Sequence, residues 1–221
     1  LLDKYLSESS QSVEYFDIDK LQLERGKLLT NEELAKIKNY KRYEFTADGI
    51  SSRAVPGQPG GEHVASTYEH NEYGTSTEDE KLTSNMNDKR WQKLAAAMAD
   101  IPAPQWYGPA DADLTIISWG SNKGPILEAL ELLKEKGLSV NYLHFTYVWP
   151  LPASEITKAF AKIKNSLLLE VNKTAQFGGL LKQYAGIDIP NKFLKYGGRQ
   201  YWPEEVARKA EEFLKTNSQN L

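Results

Sequence analysis

The chain has 221 residues, 40% of them hydrophobic, and a formal net charge of −3, a length that suits one large domain or two small ones. Its acidic balance argues against a nucleic-acid face, no run is apolar enough to span a bilayer, and Leu1-Leu-Asp-Lys4 is no signal peptide. Cysteine is absent, which removes disulfides, thiolate nucleophiles and thiolate-held iron–sulfur clusters from the chemistry open to it.

The sequence starts with Leu rather than Met. Leu1-Leu-Asp-Lys-Tyr-Leu6 reads as the last helix of a preceding domain, in a processed or truncated polypeptide. Residues 1–107 are polar, with Gly and Pro clusters and short apolar runs. Thr30-Asn-Glu-Glu33 is a capping-box pattern, and Leu34 and Ile37 follow at helical spacing, so a short helix is predicted there. Residues 42–74 fit neither the helical nor the strand period, and Val55-Pro-Gly-Gln-Pro-Gly-Gly61 excludes a regular element. A loop of that length is usually functional or packed on a partner. Thr77-Glu-Asp-Glu80 offers a second capping box, opening a helix to Ala99 with Met86, Trp91, Leu94 and Met98 on one face. Ile101-Pro-Ala-Pro104 ends it as a stiff connector.

Beyond residue 108 the pattern is regular. Strands are predicted at 114–119, 140–145, 166–171 and 192–196, and helices at 125–136, 154–164, 175–184 and 203–215. Gly137 suits the left-handed end of the first helix, Ser121 or Asn122 its cap, and Pro125 its first turn. This alternation predicts an α/β fold: an open, mainly parallel sheet with helices on both faces over 108–221, preceded by an irregular region, 1–107, with short helices. Ile116, Ile117, Val140, Leu143, Leu168 and Leu169 are expected in its core, because strands covered on both faces are continuously apolar.

Chemistry is sparse. Gly120-Ser-Asn-Lys-Gly-Pro125 stands where open α/β sheets bind ligands, so Ser121, Asn122 and Lys123 form a candidate anion loop, the plain alternative being a tight turn. It matches neither a Walker A loop nor a dinucleotide fingerprint. Glu170, Asn172 and Gln176 either line a crevice or satisfy a turn's backbone. His63, His70 and Glu72 sketch a metal site at loop spacing, which is weak, and no metal is assigned. His144, inside an apolar strand, reads as a hydrogen-bonded sheet residue. No catalytic triad or carboxylate pair stands out.

Several phrases nevertheless resemble one family. Lys41-Arg-Tyr-Glu-Phe-Thr-Ala-Asp-Gly-Ile-Ser-Ser-Arg-Ala-Val-Pro-Gly57, then Glu69-His-Asn-Glu-Tyr-Gly74, Met86-Asn-Asp-Lys-Arg90, Ser118-Trp-Gly-Ser-Asn-Lys-Gly-Pro-Ile-Leu-Glu128, Pro150-Leu-Pro152 and Glu170-Val-Asn172 resemble, in order and spacing, 2-oxoacid:ferredoxin oxidoreductase alpha subunits of the 2-oxoglutarate type. Departures are Ser52, where the family often has proline, Asn71, where it often has aspartate, and Asn122-Lys123 in a variable loop. The family's pyrimidine-binding domain and its substrate loop are not in this sequence.

The resemblance implies a cytoplasmic, thiamine-dependent enzyme that oxidatively decarboxylates a 2-oxoacid to an acyl-CoA and passes electrons to ferredoxin. Thiamine diphosphate, Mg, iron–sulfur clusters and coenzyme A belong to the full complex with its beta subunit, with or without further subunits. None is expected on this chain alone. The portion in hand would comprise the linker and a domain similar to the transketolase C-terminal domain, structural and subunit-assembling in its work. No catalytic residue is assigned; Ser51 and Arg53 are candidate contacts near the thiamine site. A reading from another class is a non-catalytic α/β interaction or ligand-binding module, since fold alone does not define function.

Overall fold

The computed structural model describes residues 7–10 and 12–218, and the opening Leu1–Leu6, read above as a helix end, lies outside them. The chain divides into two compact units, Val13–Asp100 and a second made of Ile101–Leu221 with Leu1–Ser12.

The second unit carries the sheet. Its elements are β1 (Gln105–Tyr107), β2 (Leu114–Trp119), α3 (Lys123–Glu135), β3 (Val140–Phe145), α4 (Ala153–Phe160), β4 (Ser166–Glu170), α5 (Gln176–Ala185), β5 (Lys192–Leu194) and α6 (Pro203–Ser218), after α1 (Asn31–Leu34) and α2 (Glu80–Asp100) of the first unit. The strand order is β1-β3-β2-β4-β5. β3, β2, β4 and β5 run parallel, and β1 pairs antiparallel with β3 through Gln105 opposite His144. The expected open, mainly parallel sheet is therefore present. β1 is an addition to it: three residues after a proline carry no periodicity by which a strand could be predicted.

Alternation along the strands builds two cores. Leu114, Ile116, Val140, Tyr142, Leu167 and Leu169 face Ile126, Ala129 and Leu133 of α3 and Val206 and Ala210 of α6. Ile117, Leu143, Phe145 and Leu168 face Ile156 of α4 and Phe177 and Leu181 of α5. With both faces covered, the six strand residues predicted as core are at most 4% exposed.

Several local expectations change. Neither Ser121 nor Asn122 caps α3. Gly120–Asn122 is instead a 3-10 turn that runs into the helix, and the Asn122 side chain makes no cap bond. Pro125 does sit in the first turn, where no helical donor is lost. At the other end Gly137 is left-handed (φ 73°), and Leu138 donates its amide to Leu133 to close the helix. α4 ends at Phe160 rather than 164, because the amides of Lys162 and Ile163 turn to carbonyls three residues back.

In the unit Val13–Asp100 the predicted box at α1 is complete: Thr30 accepts from the Glu33 amide and Glu33 accepts from the Thr30 amide. α2 is capped by Asp79, whose carboxylate accepts from Leu82 N at 2.8 Å, while Thr77 only receives the Asp79 amide. A shift of two residues moves the cap from the hydroxyl to the carboxylate, which also suits the positive end of the helix. The predicted apolar face does not exist as drawn. Met86 and Lys89 are buried, but Trp91 is 61% exposed, since five residues along a helix rotate a side chain about 140° away.

Candidate functional site

The crevice of an open α/β sheet lies outside the carboxyl ends of neighbouring strands whose crossovers depart in opposite directions. Here those strands are β2, which leads to β3 on one side, and β4, which leads to β5 on the other. Their ends bring Ser118, Trp119, Asn122, Glu170 and Asn172 together. Ser118 Oγ donates to the Leu169 carbonyl at 2.7 Å and accepts from Asn122 Nδ2 at 2.9 Å. Glu170 is fully buried, at the end of β4. Its Oε2 accepts from Phe177 N (3.0 Å) and Asn172 Nδ2 (2.6 Å), and its Oε1 from Gly178 N (2.9 Å). Trp119 Nε1 approaches the same carboxylate at 3.5 Å. Gln176 donates its amide to Asn172 Oδ1 at 3.1 Å.

Glu170 and Asn172 thus satisfy the opening turn of α5, which is the turn-satisfying alternative raised from the sequence. The positive end of a helix is a ready anion site. In this chain it already holds an anion of its own.

On the other side of β2, Lys123 places its ammonium 4.8 Å from the Tyr107 ring centroid. Beneath it the Tyr142 hydroxyl and His144 Nδ1 lie 2.7 Å apart. Burial, with the Lys123 charge second, pulls the imidazole down to about 4, so it is neutral at physiological pH. Of the candidate anion loop, Asn122 is turned inward onto Ser118, Lys123 lies over Tyr107, and Ser121 is half-buried. A groove of about 780 Å³ lies between α3 and the β1 end, lined by Tyr107, Leu127, Leu130, Leu138 and Val140. It is at the amino end of β3, away from the crevice where α/β sheets bind ligands.

In the unit Val13–Asp100 the residues singled out from the sequence serve the loop itself. Ser51 Oγ donates to the Glu44 carbonyl at 2.9 Å and accepts from Lys89 Nζ at 2.5 Å. Lys89 also donates to the Tyr43 carbonyl at 3.0 Å. Burial, then the neighbouring Lys93 and Arg42, pull this ammonium down to about 8. The Arg53 guanidinium donates to the Arg25 carbonyl at 3.0 Å, and its backbone bridges Leu28. Lys89 was not singled out, although its place three residues after Met86 on one helix face was a readable signal.

The metal sketch does not assemble. Glu72 accepts from Lys41 Nζ (2.9 Å) and the Phe45 amide (3.1 Å), while His70 packs 4.0 Å from the Tyr43 ring and His63 lies near Gly61 O. No group of three His, Asp or Glu converges among the described residues.

The donor set decides which cofactors this portion suits. A thiolate-held cluster has no ligand in a chain without cysteine. A diphosphate with its magnesium does not fit the crevice, because the Glu170 carboxylate occupies the amides that would receive it.

Comparison with known proteins agrees on one family. The profile of pyruvate:ferredoxin oxidoreductase core domain II matches residues 112–206. The alpha subunit of 2-oxoacid:ferredoxin oxidoreductase 2 from Aeropyrum pernix is 33% identical over 226 aligned residues, covering 100% of this chain and 34% of the relative. The alpha subunit of 2-oxoacid:ferredoxin oxidoreductase 1 from Sulfurisphaera tokodaii is 33% identical, over 93% of this chain and 32% of its own length. Among solved structures, 2-oxoglutarate:ferredoxin oxidoreductase from Magnetococcus marinus, with 2-oxoglutarate, coenzyme A and succinyl-CoA bound, superposes with a TM-score of 0.69 at 31% identity, over 79% of this chain and 30% of that one. The chain belongs to the family of 2-oxoacid:ferredoxin oxidoreductase alpha subunits. It spans about a third of the length of the curated relatives it matches. No helix among the described residues is long and apolar enough to cross a membrane.

Proposed function

We propose that the chain is a non-catalytic portion of the alpha subunit of a cytoplasmic, thiamine-dependent 2-oxoacid:ferredoxin oxidoreductase, which converts a 2-oxoacid to an acyl-CoA and reduces ferredoxin. Its work is structural: the sheet unit is a rigid body, and the unit Val13–Asp100 is a surface for assembly with the beta subunit and the rest of the enzyme. The observation that carries this reading is identity to alpha subunits along the whole chain, joined to a crevice sealed by its own Glu170. Thiamine diphosphate, Mg, iron–sulfur clusters and coenzyme A are then held elsewhere in the complex. The Ser51–Arg53 segment is the proposed approach to the thiamine site, with Lys89 setting its position. Ser121 and Lys123 remain open to an anion from outside the chain only at the rim of α3. 2-Oxoglutarate is the substrate to test first, since the relative of known structure binds it.

The test is anaerobic co-production with the beta subunit and the remainder of the alpha subunit. Viologen reduction that requires both a 2-oxoacid and coenzyme A is the expected result, with none from the chain alone. Turnover by the isolated chain would overturn the assignment of roles, and a complete, cofactor-loaded complex inactive toward every 2-oxoacid would overturn the activity.

A further inference from the structure

One stretch of the first unit is built differently from the rest. Between Val13 and Leu23 six large apolar residues stand in water: Val13 is 75% exposed, Tyr15 96%, Phe16 59%, Ile18 74%, Leu21 46% and Leu23 65%. The backbone here has no regular element apart from one 3-10 turn, Ile18–Lys20, flanked by extended Asp17 and Leu21. That turn is held by its own residues: Asp17 Oδ1 accepts from the Asp19 amide at 3.1 Å, and Asp17 Oδ2 pairs with Lys20 Nζ at 3.0 Å. Anchoring to the body of the unit starts only later, where Arg53 reaches the Arg25 carbonyl and Leu29 donates its amide to Arg53.

A linker that needs no partner is rich in Gly, Ser, Pro or charge. This one is rich in the side chains that dominate binding interfaces, Tyr and Phe among them. Its charges are also one-sided. Within it Glu14, Asp17 and Asp19 stand against a single positive group, Lys20. A surface that received it would offer an apolar groove with Lys and Arg on the rim. An anionic lipid surface is disfavoured by the same charges.

We propose that Val13–Leu23 is a docking segment that lays Phe16, Ile18 and Leu21 into a basic-rimmed apolar groove on a folded domain of the alpha subunit outside this chain. This rests on the oxidoreductase reading above. The matched relatives are about three times the length of this chain, so they carry ample folded protein outside the matched region to supply such a groove. The local turn gives the segment a shape before it binds, which lowers the ordering cost of association.

The experiment uses the assembled complex and a triple variant, Phe16→Ser, Ile18→Ser and Leu21→Ser, with Tyr196→Ser of the sheet unit, 62% exposed, as the control. Amide exchange across residues 13–23 is expected to slow at least ~10-fold in the complex relative to the chain alone, because docked backbone opens rarely. The triple variant is expected to assemble about 100-fold more weakly, more so at high salt, and the control to match the parent. Unchanged exchange, or assembly of the triple variant like the parent, overturns the proposal even if the complex turns over 2-oxoacid. Protection that appears in the chain alone and grows with its concentration overturns it in favour of a second copy. An assembled but inactive complex counts against the enzyme reading only, since protection is read without turnover.

Discussion

The carboxylate of Glu170 lies 2.9 Å from the amide of Gly178, and this contact joins the end of β4 to the first turn of α5. A Cβ on Gly178 would stand 2.6 Å from Leu168 Cδ2, so the close approach of helix and strand needs a glycine there. Charge, glycine and turn belong to one arrangement. Replacing Glu170 by Gln keeps the shape but turns an NH2 group toward donors. We expect Glu170→Gln to cost about 1.5–3 kcal/mol, the range for hydrogen bonds to a charged group. Urea unfolding of the chain measures it, and a loss under about 0.5 kcal/mol, the level of an ordinary surface substitution, would show that the carboxylate does not clamp the helix.

His144 makes the sheet acid-sensitive. Its imidazole is pulled from the usual 6.5 down to about 4. Between these values the unfolded chain takes up a proton that the folded one refuses, so stability falls as pH drops from about 6.5 towards 4 and loses nothing further from this group below that. His144→Gln, which leaves an oxygen for the Tyr142 hydroxyl, should flatten that part of the profile. NMR titration of the imidazole is the direct check; a midpoint near 6.5 in the folded protein would remove the effect.

Lys89 acts in the opposite range. Burial pulls its ammonium from 10.5 to about 8, so the unfolded chain holds the extra proton between those values and the folded unit becomes more stable as pH rises through them. The neutral amine still has two hydrogens for the Tyr43 carbonyl and Ser51, which is why deprotonation does not undo the clamp. Lys89→Met should abolish this alkaline gain and speed proteolysis of the 43–51 loop at pH 7. An alkaline profile identical to that of the parent would show that Lys89 is not the titrating group.

Gly49 is held at φ +72°, and a Cβ there would meet the Lys89 carbonyl oxygen at 2.5 Å. Strain and collision act together, so Gly49→Ala should cost about 1–3 kcal/mol. The damage should fall on Val13–Asp100, with the sheet unaffected. Amide exchange resolved by residue would show it, and uniform loss across both units would contradict it.

What could be read in the sequence depended on how far each signal reached along the chain. β2 and β3 are buried on both faces, and their short runs, mostly apolar, announced them despite buried Thr115, Ser118, Asn141 and His144. Thr30 and Glu33 cap each other across three residues, a pattern that needs no tertiary knowledge. The cap on α5 stayed one of two readings of Glu170, because its carboxylate sits seven and eight residues upstream of the amides it binds, in a different element. The burial of Lys89 is readable from its place one turn after Met86, but its partners are not, since its oxygens come from Tyr43 and Ser51. Family phrases around Ser51 and Arg53 were visible, but phrases do not say that Ser51 is engaged by Glu44 and Lys89.

The central position of β2 has a consequence for the order in which the protein is made. Its partner β3 follows after one helix, but Ser118 waits for Leu169, 51 residues further on, before its other edge is bonded. During synthesis that edge, Leu114 to Trp119, is a bare apolar strand template while α3, β3 and α4 emerge. Such edges recruit other chains. Nascent or truncated products that stop before Ser166 should therefore depend on chaperones and collect in inclusion bodies, while products that extend through β5 stay dispersed, a contrast that a series of C-terminal truncations would display.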